Sequence, residues 1–127
     1  MYPSFHSAVA VLIQKFVPGA LGVILSFGSH FVVDNLIENG TYGNDAEAIV
    51  FELSLNWLLI DNIIENERKE EYLWAIFAAN LPDIINKSTG LLAHGDTPFN
   101  ICASDLGPYI NCLAIWIAID NLKEEQE

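Results

Sequence analysis

The chain is 127 residues long, one domain's worth, with 52% apolar residues and only 17% charged ones, where a typical soluble domain carries roughly 25%. Its few charges are lopsided, 17 Asp plus Glu against 5 Lys plus Arg, for a net charge of −12. The composition excludes a disordered chain, which would be polar and poor in aromatics. It also excludes a nucleic-acid module, which needs a basic face, and a disulfide scaffold, which two cysteines cannot frame. An acidic chain that is also oily remains.

Helical periodicity dominates the reading in chain order. An apolar helix begins around Ala8, with Ser4 or Ser7 as its N-cap, and Pro18-Gly19 breaks or kinks it. The N-terminus lacks a basic region and Lys15 interrupts the apolar run, so no cleaved signal peptide is expected. A second helix runs from about Ala20 to Ile37 and stops at Asn39-Gly40. A third starts near Asp45 and passes Trp57 to about Glu65. The charge run from Glu65 to Glu71 reads as a solvated connection or a helix's first turn, and a fourth helix follows to Asn80, with Pro82 stopping or kinking it. Residues 87–107 read as a long irregular loop, the kind that often carries function. A last helix spans Pro108 to Leu122, and residues 123–127 read as a frayed polar tail.

The expected fold is therefore all-α, a single domain built as a small bundle of four to five apolar helices. The longest uncharged stretch, Phe16 to Val33, has 18 residues and reaches the lower edge of a membrane span. It is interrupted by Pro18, three glycines and His30. Two arrangements fit: helices that enter a bilayer, or core helices of a soluble, cytoplasmic bundle. Membrane association is the arrangement taken forward, with lipid as a partner, self-association into a homo-oligomer left open, and no nucleic acid.

Polar residues inside apolar helices are the candidates for chemistry. His30 and Asp34 stand four apart, which on a helix puts imidazole and carboxylate on one face. Such a pair binds a metal ion, or the carboxylate orients the imidazole; a plain ion pair in a core is the alternative. Asp83 follows Pro82 and either caps a helix beginning at Ile84 or joins the site. Taken together, His6, His30, Asp34 and Asp83 form a nitrogen and oxygen set suited to a divalent metal ion, zinc being the candidate. Glu47, Ser54 and Asp61 read as a solvated stripe on one helix face, and Glu52 with Asn56 as another, although in a membrane setting Asp61 and Glu52 become inward-facing candidates. Cys102 and Cys112 read as free buried thiols. Phosphate loops, nucleophile elbows, HExxH and CxxC motifs are absent from the sequence.

A histidine near the N-terminus, then Ser29-His30-Phe31-Val32-Val33-Asp34, then Asn80-Leu81-Pro82-Asp83-Ile84 resembles the hallmarks of the small membrane-associated metal-dependent hydrolase-like proteins of the YdjM-like family. The resemblance covers residues 4–100 and implies a mostly helical, membrane-associated hydrolase with a divalent metal held by His6, His30, Asp34 and Asp83. Asp61 or Glu38 is the general base such a metal-bound water would need. Ile37-Glu38 stands where many relatives carry Pro-His, so Glu38 is also a candidate oxygen ligand. Set against this is a non-enzymatic acidic helical module that associates with itself or a partner, its histidines serving only core hydrogen bonds.

Overall fold

In the computed structural model, which describes residues 3–36, 45–89 and 107–126, five helices pack as a bundle: α1 (Pro3–Phe16), α2 (Ala20–Leu36), α3 (Asp45–Ile64), α4 (Lys69–Thr89) and α5 (Gly107–Gln126). Pro3 opens α1, a position where a missing N–H costs nothing. Gly19 turns α1 back into α2 with φ 79°, a left-handed conformation that a residue with a Cβ adopts only under strain. Asn66 holds the α3–α4 turn, its side-chain oxygen accepting from Arg68 N–H at 2.8 Å and its carbonyl from Lys69 N–H at 3.1 Å. Glu70 and Glu71 lie in the first turn of α4, where the helix dipole favours negative charge.

Hydrogen bonds between helices fix the directions. Ser4 and Ser7 meet Glu52 and Asn56, so α1 and α3 run parallel. Lys15 meets Asn121 and Glu124, so α5 runs the same way. Gly19 bonds Glu71 and His30 bonds Ala79, so α2 and α4 run parallel to each other and opposite to the rest. The shortest helix, α1, is the axis: it packs against all four others. The main core joins Ala8 and Val11 of α1, Leu55, Leu59 and Ile63 of α3, Tyr72 of α4, and Ile115, Ala118 and Leu122 of α5. The three- and four-residue spacings within each helix are those of one buried face. Ala10, Ala75 and Ala79 let α1 and α4 approach closely.

Four expectations are corrected. Helix α1 starts at Pro3, and Ser4 and Ser7 lie buried inside it rather than capping it. Helix α4 continues through Pro82 to Thr89, because Pro82 is buried among other elements whose packing outweighs the lost backbone bond. The supposed tail is the last turn of α5, held by Lys15 on Glu124 and Arg68 on Glu125. Cys112 is exposed, not buried, because it sits on the outward face of α5. Of the long segment, 87–89 belong to α4; 90–106, with Cys102, lie outside the described residues.

Beside the apolar core, the interior holds many polar side chains and the surface many large apolar ones. Ser4, His6, Ser7, Gln14, Ser26, His30, Asp34, Glu52 and Asn111 are buried, while the three tryptophans face outward, Trp57 at 64%, Trp74 at 62% and Trp116 at 68% exposure. Single exposed apolar residues are ordinary; exposed tryptophans on three of the five helices are less so. Among the described residues, no helix is long and apolar enough to cross a membrane.

Candidate metal centre

Three helices bring the site together at one end of the bundle. His6 comes from the second turn of α1, His30 and Asp34 from successive turns of α2, and Asp83 from α4 just after Pro82. His6 and His30 are fully buried and their rings stack, centroids 3.9 Å apart and planes 17° from parallel. Asp34, 7% exposed, straddles the stack: Oδ1 lies 3.1 Å from His6 Nε2 and Oδ2 lies 3.0 Å from His30 Nε2. Asp83 Oδ1 lies 3.2 Å from His30 Nε2, its side chain one-third exposed, so the cluster opens toward solvent on that side.

The backbone settles which nitrogen of His30 carries hydrogen. Nδ1 is 2.7 Å from the Ala79 carbonyl, and a carbonyl only accepts, so Nδ1 is the N–H. With Nδ1 so bound, Nε2 faces Asp34 and Asp83: it donates to these carboxylates while His30 is protonated, and its lone pair is offered to a metal ion only when an ion displaces that proton. Pro82 contributes to this seat. It supplies no N–H to the Ala78 carbonyl, and its ring crowds the preceding turn, from which the Ala79 carbonyl reaches His30. A metal-binding histidine is ordinarily oriented in this way, through a bond from its other nitrogen. His6 has no such bond: its Nε2 faces Asp34, but its Nδ1 has no hydrogen-bond partner despite full burial.

Electrostatics follow from the geometry. Burial pushes the His6 imidazole below its ordinary 6.5, against the pull of Asp34, leaving it neutral. Burial works against a charged His30 too, but Asp34 and Asp83 outweigh it and raise that imidazole to about 9. Burial would raise the Asp34 carboxyl, yet the imidazoles of His30 and His6 hold it well below the usual carboxylate range. Asp83 is also lowered, His30 outweighing its desolvation.

These residues fit a divalent ion. His6, His30 and Asp34 each offer one ligand atom, all within 4.8 Å of one another. Bonds of about 2.1 Å in a tetrahedral site place ligand atoms about 3.4 Å apart, within the 4.8 Å that encloses this group. With neutral imidazoles, Asp34 and Asp83 carry two negative charges, which one divalent cation balances.

Of the six residues singled out from sequence, His6, His30, Asp34 and Asp83 meet. Asp83 lies inside α4 against His30 rather than capping a new helix. Asp61 is exposed on α3 and takes no part in the group of ligand atoms. Glu38 lies outside the described residues. Sequence reasoning missed the anchoring of α1: Glu52, read as part of a solvated stripe, is 7% exposed and accepts from Ser4 and Asn111. Asn111, a lone amide inside the apolar run Leu106–Ile119, was the available signal. Comparison with family models, curated proteins and solved structures gives no match to this chain.

Proposed function

We propose that this protein is a membrane-associated helical protein that holds one divalent metal ion, zinc being the candidate, on His6, His30 and Asp34 beside Asp83, and uses it for hydrolysis. The observation that carries this is the grouping of the ligand atoms: one each from His6, His30 and Asp34 lies within 4.8 Å of the others, and the Ala79 carbonyl holds His30 Nδ1 so that Nε2 faces that group. A bound divalent ion there polarises a scissile oxygen and lowers the pKa of a coordinated water. Asp34 and the stacked imidazoles hold the geometry and exclude bulk water from one side. Asp83, beside His30 and partly exposed, is better placed than the exposed Asp61 to accept a proton from an incoming nucleophile. A lipid or phosphoester substrate is the expectation from family resemblance. Membrane association is supported by the outward tryptophans and the buried polar residues. It is an association through apolar outer faces, since no described helix is long and apolar enough to cross.

The test is metal content of the purified chain after zinc supplementation, with His30→Ala alongside. About one equivalent in the wild type and under a tenth in the variant is expected; a wild type that binds none overturns the reading. A non-enzymatic structural or interaction role is the second reading, favoured by the ability of protonated His30 to pair with Asp34 and Asp83 with no metal at all. The two separate on thermal unfolding with zinc. Ligand at a hundred times its Kd adds about 2.7 kcal/mol to a protein that binds it, and nothing to one whose histidines serve only the ion pair.

A further inference from the structure

A ligand histidine whose other ring nitrogen has no partner needs some other source of orientation. His6 is that residue: Nε2 faces Asp34 at 3.1 Å but Nδ1 has no hydrogen-bond partner, so the aim of the ring depends on the backbone of α1 and on stacking on His30. The first turn of α1 has its own problem, because backbone N–H groups there have no acceptor within the helix. Glu52, projecting from α3 into the interior, answers it. Its Oε2 accepts the Ser4 N–H at 2.8 Å, and its Oε1 accepts the Ser4 hydroxyl at 3.0 Å and the Asn111 amide at 3.0 Å. One turn further along α3, Asn56 accepts the Ser7 hydroxyl at 2.8 Å. The two grips, on residues 4 and 7, bracket His6. A carboxylate at a helix N-terminus is also favoured by the dipole.

We infer that Glu52 is a positioning residue for His6, fixing the first turn of α1 so that the imidazole enters the metal site in register with His30 and Asp34. The inference rests on the proposed metal site. It assigns to a carboxylate on α3, and to Asn111 of α5, the orienting task that the Ala79 carbonyl performs for His30. Replacing the carboxylate by an amide sets an N–H donor against the Ser4 donors and loosens the turn.

The experiment measures zinc affinity of the full chain by chelator competition, for the wild type, Glu52→Gln and Leu59→Ala. Leu59 is buried in the same helix, so Leu59→Ala destabilises the fold without touching residues 4–7. Loss of an outer orienting partner costs 10–100-fold in metal affinity, so Glu52→Gln is expected to weaken zinc at least tenfold, with Leu59→Ala staying within about threefold. Cobalt substituted for zinc supplies a second readout: the visible spectrum of the Glu52→Gln protein changes as a ligand is displaced, and that of Leu59→Ala does not. If Glu52→Gln does not fold, Ser4→Ala, which keeps the carboxylate and removes one of its bonds, is expected to lose three- to tenfold. Glu52→Gln, or Ser4→Ala in its place, binding zinc no more weakly than Leu59→Ala and with an unchanged cobalt spectrum, overturns the positioning role. A wild type that binds no zinc overturns the metal site itself, before any variant is compared.

Discussion

Adding one methyl group at Gly22 is expected to destabilise the protein, although the same change elsewhere in α2 stabilises it. A Cβ at Gly22 falls 2.8 Å from Gln14 Cδ and closer still to Gln14 Oε1 and to the Val17 carbonyl oxygen. The Val17 backbone closes α1 and cannot retreat cheaply, so Gln14 must move. Its amide then gives up its bonds to the Gly19 carbonyl and to the Glu71 carboxylate, both 3.0 Å. Losing one neutral and one charge-assisted bond costs about 3 kcal/mol, against a gain of about 1 kcal/mol for alanine over glycine in a helix. The net is about 2 kcal/mol, or about 8 °C in Tm at this chain length. Gly28, with nothing within 4 Å of an added Cβ, keeps only the gain. Thermal and urea unfolding of Gly22→Ala and Gly28→Ala are thus expected to shift in opposite directions. A Gly22→Ala protein as stable as the wild type would refute the reasoning.

Two further predictions concern the opposite end of the bundle. Arg68, together with the Gly19 N–H and Gln14, holds the Glu71 carboxyl at about 2 against an ordinary 4.5. A carboxylate lowered in the folded state contributes stability that is full above pH 4.5 and fades as pH falls toward 2. The stability difference between the wild type and Glu71→Gln is expected to shrink across that window; a difference constant from pH 6 to pH 2 speaks against it. The buried Tyr72 donates its hydroxyl to Glu125 and accepts from Arg68 at 3.3 Å. Tyr72→Phe is expected to cost about 1–2 kcal/mol in urea unfolding, and a loss below about 0.3 kcal/mol would show that the hydroxyl bonds little in the native protein.

Local signals announced the helices well. Pro18-Gly19 broke the chain where the backbone turns, and the four-residue spacing of His30 and Asp34 placed both on one oxygen- and nitrogen-bearing face. Long-range partners erased other local signals. Ser4 and Ser7 look like caps in sequence, but a serine that caps and one that reaches a carboxylate on another helix are the same residue type. Pro82 looks like a stop, but burial carried α4 through it. The terminal acids look frayed because the cations that bind them, Lys15 and Arg68, are 109 and 57 residues away. Glu52 and Asp61 stand nine apart, which puts them on opposite faces of α3, and the neighbouring α1 and α5 decide that the first is inside and the second outside.

The placement of α1 at the axis has a consequence for how the protein comes into being. The first of the five helices in chain order is the last to find its full set of neighbours. Ser4 waits for Glu52, Glu52 for Asn111, and Lys15 for Asn121. These contacts span most of the sequence, which slows their closure. Until residue 111 is in place, Glu52 lacks the Asn111 amide and α1 lacks one of its four packing faces. The firm seating of the first turn of α1 is thus a late-maturing feature, and a chain that stops before α5 is expected to bring His6 to His30 with a looser hold on residues 4–7.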